Sequence, residues 1–190
     1  MKTATTTARP FTTKTLAYCA LLAALSVVLA RFLIPMPNVT TRFSIEAVPI
    51  FLAGMLFGPM AGGLVGFSAD LVGCLFSGYG YNPLFCLPPI LYGIFGGVFR
   101  RYLAAKPTLP RLGLSFLCPV ILGSILWQSA ALSFVYNSKG SFTASLIYFL
   151  STRTVQFVVT LVLDVLIIYL LMRTGIFTRM GIWPPVSKEK

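Results

Sequence analysis

The chain has 190 residues, of which 57% are hydrophobic and only 10% charged, and its mean hydropathy is +0.87. That balance excludes an ordinary soluble domain and describes a polytopic membrane protein. The formal charge of +11 does not make it a nucleic-acid binder, because its Lys and Arg are separated by long apolar runs, and the absence of histidine removes the commonest metal ligand and general base.

A basic, Thr-rich leader, residues 1–14, precedes the first apolar run. The run is close to the roughly 20 residues a bilayer needs, and more hydrophobic segments follow, so it reads as a retained first span at about 15–34 and not as a cleaved signal. Ala20 and Ala24 stand one helical turn apart there, with Ala17 and Ala23 nearby. Such a small-residue face suits either packing inside the bundle or docking of another membrane subunit. Pro35, Met36 and Pro37 then mark a loop flanked by Arg31 and Arg42.

A second apolar segment, about 44–57, begins beside Glu46 and is short for a full crossing. Gly58 and Pro59 separate it from a third, about 59–76, so the two form a tight helical hairpin. Gly58, Gly62, Gly66 and Asp70 recur every four residues, a glycine stripe for close helix packing that ends in a carboxylate. An ionisable group at membrane depth is costly and points by default to a ligand or ion site. Ser68 is the nearest candidate nucleophile, but its position two residues away points it off the Asp70 face, so an intramembrane enzyme has little support.

Gly78, Tyr79, Gly80, Tyr81 and Asn82 form the next loop, followed by a fourth segment at about 83–103 and a proline-containing loop from Lys106 to Arg111. A fifth segment, about 112–136, carries Trp127 and Gln128. A sixth, about 143–173, carries Arg153 and Gln156 on nearly one face, and Asp164 deeper in. For Asp164 two roles stand open, pairing with a helix end and meeting a cytoplasmic partner. The four cysteines form no C-x-x-C pair and read as small buried hydrophobes; no metal site and no catalytic residue are expected.

The expected fold is therefore an all-α integral membrane bundle of six transmembrane helices. It forms a single transmembrane domain, 1–190, made of the leader, a bundle at 15–173 and a basic tail at 174–190. Eleven of the fifteen Lys and Arg fall on the side of the leader, the 100–111 region and the tail, which puts both termini in the cytoplasm. Asp70 then lies roughly 9 Å below the outer end of its helix, and Arg153 roughly 15 Å in. An internal ion pair between them is one reading. The other is an outward cavity, since Glu46, Tyr79, Tyr81, Asn82, Trp127, Gln128 and Gln156 lie in the same half. Some of those aromatic rings belong to the interfacial belt. Charges of both signs, amides and rings suit a planar, partly anionic organic molecule. The chain lacks a phosphate-binding P-loop, so energy for uphill transport would come from elsewhere.

Three stretches carry a family likeness: the Ala20/Ala24 pair, the run from Gly58-Pro59 through Gly62 and Gly66 to Asp70-Leu71, and Tyr81-Asn82-Pro83 leading into Pro89-Ile90-Leu91-Tyr92-Gly93. Through these the chain resembles the substrate-binding S component of energy-coupling factor (ECF) vitamin transporters over about residues 12–175, and most of all the folate-specific ones. The resemblance implies a multi-pass subunit in the plasma membrane of a prokaryote that captures folate at the outer face. It implies partnership with a transmembrane coupling subunit and two cytoplasmic ATPase subunits, which use ATP and Mg. Ala20 and Ala24 would pack against the coupling subunit. Folate's two carboxylates suit Arg31, Arg42, Lys139 or Arg153, and its donor-bearing pterin edge suits Asp70 or Glu46. Apart from the resemblance, the loop holding Pro35, Met36 and Pro37 is long enough to fold over a cavity mouth and the one holding Gly78 and Gly80 is rich in Gly and Tyr, so the two read either as lids or as plain connecting loops. A sibling S component for another vitamin such as pantothenate is the alternative within the family, and an assembly protein a remote one.

Overall fold

The computed structural model describes residues 12–31, 34–35, 42–43, 45–77, 81–105, 108–135 and 141–183. Expectations placed on Met36, Pro37, Gly78, Tyr79, Gly80 and Lys139 lie outside these residues, as do those on the side chains of Arg31, Pro35 and Arg42.

Helix α1 (Thr13–Arg31) leads into a two-residue antiparallel ribbon, β1 (Ile34–Pro35) and β2 (Arg42–Phe43), with Ile34 opposite Phe43. The connector, read from the sequence as a lid or a plain loop, is thus pinned at its base. Then come α2 (Ala47–Phe57), α3 (Pro59–Ser77), α4 (Pro83–Val98) and α5 (Arg100–Ala105). A continuous helical rod follows, built of α6 (Leu109–Pro119), a π-helical stretch (Val120–Trp127) and α7 (Gln128–Val135). The long α8 (Phe142–Arg173) and the short α9 (Ile176–Arg179) complete the chain. Four helical stretches are long and apolar enough to cross a membrane: Thr13–Ala30, Pro59–Phe76, Leu109–Val135 and Phe142–Arg173.

Helix α2 is short because it is core. Residues Ala47 to Leu56 are all buried, so it is apolar on every side and has no face left for lipid. Gly58 follows with φ +105°, a conformation open to glycine, and its N–H caps the Gly54 carbonyl; Pro59 then starts α3 with a preset φ. The first glycine of the stripe is therefore a turn residue, not a packing one. The others do pack: a methyl on Gly62 would strike the Gly93 carbonyl, and one on Gly66 would strike Pro89. The stripe is the seat of α4.

Helix α4 carries two prolines inside it. Pro88 cannot donate to the Leu84 carbonyl four residues earlier. The indole N–H of Trp127 donates to that carbonyl instead, at 2.8 Å. Asn82 caps the start of α4, its side chain accepting from the Leu84 N–H at 3.1 Å. The helix ends sooner than expected, at Val98, where Phe99 turns with φ −80° and ψ 2°. Conversely α6 begins before the expected boundary, because Pro110 sits in its first turn, where a missing N–H costs nothing. Arg111, expected in a loop, lies inside α6 with its guanidinium 4.9 Å from the Tyr102 ring.

Candidate polar site along the last long helix

The buried face of α8 is polar over most of its length. Ser145, Arg153, Gln156, Thr160 and Asp164 follow one another three, four or eight residues apart, which sets them on one side of the helix, and all are buried. Arg153 is 8% exposed, with its guanidinium carbon 5.7 Å from the Phe157 ring centre, and Gln156 is 6% exposed. Eleven residues further on, and hence about 16 Å along the axis, Asp164 is 3% exposed. Its Oδ1 meets no hydrogen-bond donor among the described residues. A base and an acid thus stand at two levels of a single face.

The neighbours of Asp164 come from three other elements. Glu46, at the N-terminus of α2, is close enough for the two carboxylates to act on each other, and both act on the Tyr92 hydroxyl of α4. That hydroxyl shares a 2.9 Å hydrogen bond with Ser124 in the π-helical stretch. The stretch starts directly after Pro119, where the regular hydrogen-bond ladder is already broken, and π segments of this kind often lie at functional sites. Ser26 of α1 donates to the backbone carbonyl of Glu46 at 2.8 Å, which ties α1 to the same corner.

Asp70 belongs to a different place. It is half-buried on α3, where its Oδ2 has no hydrogen-bond partner among the described residues, while its carboxylate interacts with the Cys86 thiol of α4 and that thiol with the Tyr81 hydroxyl. That contact holds the Tyr81 phenol above its ordinary pKa. Among the described residues no ion pair joins Asp70 to Arg153. Asp70 and Tyr81 are thus brought together, and Glu46 is brought to α8, but Asp70 and Glu46 sit in separate clusters.

The remaining expected residues divide between structure and surface. Asn82 spends its side chain on the α4 cap. Trp127 spends its N–H on Leu84 while its ring lines an apolar groove of about 310 Å³, with Leu84, Ala130, Ala131, Phe134 and Phe142. Gln128 is half-buried at the start of α7. Ala20 and Ala24 are exposed on α1, on a face that also shows Leu16, Leu21 and Val28. Among the described residues no group of three or more Cys, Asp or Glu is arranged to hold a metal.

Sequence reasoning underrated Asp164 and passed over Tyr92, Ser124 and Thr160. The signal for two of them was present: positions 153, 156, 160 and 164 keep helical spacing and are all polar inside an apolar run. Tyr92 and Ser124 carry no such pattern, since only the packing of α4 on the π stretch joins them.

Comparison with known proteins bears on this arrangement. A family model described as ECF-type riboflavin transporter, S component, matches residues 10–174. The folate transporter FolT of Clostridium novyi (strain NT) is 29% identical over 114 residues, 58% of this chain, and the match spans 65% of that relative's length. Among solved structures, FolT bound with folic acid has a TM-score of 0.71 and 29% identity, covering 86% of this chain and 95% of that one. ThiT from Listeria monocytogenes has a TM-score of 0.64 at 19% identity, covering 85% of this chain and 94% of that one. The S-component for biotin from an ECF-type ABC transporter has 0.55 at 20%, covering 90% and 96%. These last two bear on the fold alone.

Proposed function

The chain belongs to the ECF-type riboflavin transporter S-component family, and from that premise we propose that it is the folate-binding subunit of such a transporter. It is a multi-pass membrane protein and a transporter component, not an enzyme. The observation that carries folate is the likeness to the folic acid-bound structure, at 29% identity across 86% of the chain. The α8 face supports it chemically. A buried guanidinium suits the carboxylates of the glutamate tail, and the aromatic and polar groups deeper in suit a flat heteroaromatic head.

In this reading six segments cross the plasma membrane of a prokaryote, with both termini in the cytoplasm and the binding cavity open outward. Folate is delivered when the chain docks on a coupling subunit energised by two ATPases. The exposed alanines of α1 are the docking face: Ala20 and Ala24 leave a shallow strip between Leu16, Leu21 and Val28 onto which another helix can pack closely. The loops around Pro35 and Gly78 close over the ligand. Asp70, held by Cys86, braces α3 against α4 at the edge of the cavity and does not touch the ligand.

Calorimetric titration of the detergent-purified protein with folate tests this directly. One site per chain is expected; absence of heat and of saturation removes folate. The family description favours riboflavin as the second reading, so the same titration with riboflavin, saturating where folate does not, would replace one vitamin by the other. For docking, Ala20→Phe with Ala24→Phe should keep folate affinity within about twofold, because neither alanine is in the cavity. Uptake in cells that carry the partner module should fall to background, and normal uptake would refute the face.

A further inference from the structure

We propose that Asp164 selects the vitamin's head group, its carboxylate accepting the two neighbouring N–H donors on the guanidine-like edge of a 2-amino-4-oxopteridine. The inference rests on the folate reading above and goes beyond it by assigning the choice of ring to one side chain.

Three observations converge on Asp164. A carboxylate 3% exposed, with Oδ1 lacking a donor among the described residues, is an expensive group to keep unless something arrives to satisfy it. No cation among the described residues acts on it, and the charge that does act on it, Glu46, has the same sign. The Tyr92 hydroxyl is already shared with Ser124 at 2.9 Å. Asp164 Oδ1 therefore keeps an open acceptor position beside a second carboxylate, and a fitting ligand brings the donor.

The second point is the distance to Arg153. Both residues lie on the buried face of α8, separated by about 16 Å of axis. That separation is comparable with the length of an extended pteroylglutamate. With the tail carboxylates at Arg153, the ring edge falls at the level of Asp164, and the charges at the two ends fix which way round the molecule enters.

The third is the pattern of donors. The pterin edge offers an exocyclic amino group beside a ring N–H, two parallel donors that match a carboxylate as a guanidinium does. The pyrimidine edge of a flavin offers one N–H between two carbonyl oxygens, and each oxygen would face a carboxylate oxygen. An acidic corner thus admits a pterin and disfavours a flavin, although the family description names riboflavin. Asp70 also has an oxygen, Oδ2, without a hydrogen-bond partner among the described residues, but it is only half-buried and sits with Cys86 and Tyr81, off the polar face of α8.

The test pairs a change in the protein with a change in the ligand. The unmodified protein should bind folate about 10- to 100-fold more tightly than 2-desaminofolate, the range expected for a charged hydrogen bond left unmade. Asp164→Asn should lose most of that preference, while Glu46→Gln keeps it. A variant that still prefers folate by the original factor overturns the proposal, and so does a Glu46→Gln protein that loses the preference. Infrared difference spectra of the unmodified protein guard against a misfolded variant. Folate should perturb a buried carboxylate band that 2-desaminofolate leaves alone, and an unperturbed band overturns the proposal. Failure of the unmodified protein to bind folate at all would instead remove the reading on which the proposal rests.

Discussion

Where α2, α3 and α4 meet, backbone lies on backbone: Gly54 and Gly62 against Gly93, Gly96 against Phe51, Gly97 against Pro59. Along α8 the buried contacts are made by side chains, several of them polar, with an unmatched carboxylate at one level and a guanidinium at another. The first region has no slack, and its polar backbone groups are consumed within its own helices. The second retains hydrogen-bonding capacity at Asp164 and, toward the other end of α8, at Ser145, and Ser129 of α7 is also buried without a partner among the described residues. The first region is therefore a frame of close backbone contacts, in which Asp70 Oδ2 is the unmatched side-chain atom among the described residues, and the second is held by polar side chains. A binding protein needs both, since a ligand can only be measured against a wall that does not yield.

The sharpest way to break that contrast is to add volume to the frame. Gly93→Leu would drive a side chain into the Gly62 backbone, which cannot move without separating α3 from α4. A loss of about 3 kcal/mol or more is expected, read as a large drop in the melting temperature of the detergent-purified protein. Gly73→Leu is the control on the same helix as Gly62: a Cβ there meets nothing within 4 Å, so its melting temperature should match the parent. Similar melting for both variants would mean that the glycine seat is not what holds the frame.

A smaller effect, of a different kind, is expected on α8. If Arg153 holds the folate tail as proposed, Arg153→Ala should weaken folate binding by about 2 to 3 kcal/mol, the cost of losing a charged bidentate partner. Its melting temperature should change far less than that of Gly93→Leu. Arg153→Lys should recover only part of the affinity, since a point charge does not reproduce the planar fork. Titration of the three proteins side by side checks this. Equal affinities would return Arg153 to a purely structural role.

The frame was largely legible in the sequence, and the site only in part. Apolar length located α1, α3 and α8 within a few residues, and Gly58-Pro59 announced the turn between α2 and α3, because those signals are local. The break after Val98 and the early start of α6 were missed, since both depend on how a turn packs and not on composition. The partition of the carboxylates was also hidden. Asp70 drew attention through its glycine rhythm, yet Asp164 and Glu46 share the acidic corner, because α2 is too short to span and delivers Glu46 to the level of Asp164 on a helix remote in sequence. Spacing shows which residues share a helix face; it does not show which faces meet.

The smallest predicted effect lies where the two halves touch. Pro88 leaves the Leu84 carbonyl without its helical donor, and Trp127, the last residue of the π stretch, supplies one at 2.8 Å. Trp127→Phe removes that donor but keeps a ring in the groove, so it should cost about 1 kcal/mol of stability. Pro88→Ala restores a backbone N–H four residues after Leu84, and the carbonyl then no longer needs the indole. In the Pro88→Ala background, therefore, Trp127→Phe should cost almost nothing, and a double-mutant cycle on melting free energies should return a coupling of about 1 kcal/mol. A cycle that closes at zero would mean that Trp127 holds the halves together through its ring alone. The irregular helix and the rod beside it would then be neighbours by packing, without the hydrogen bond that makes the proline in α4 and the tryptophan ending the π stretch a matched pair.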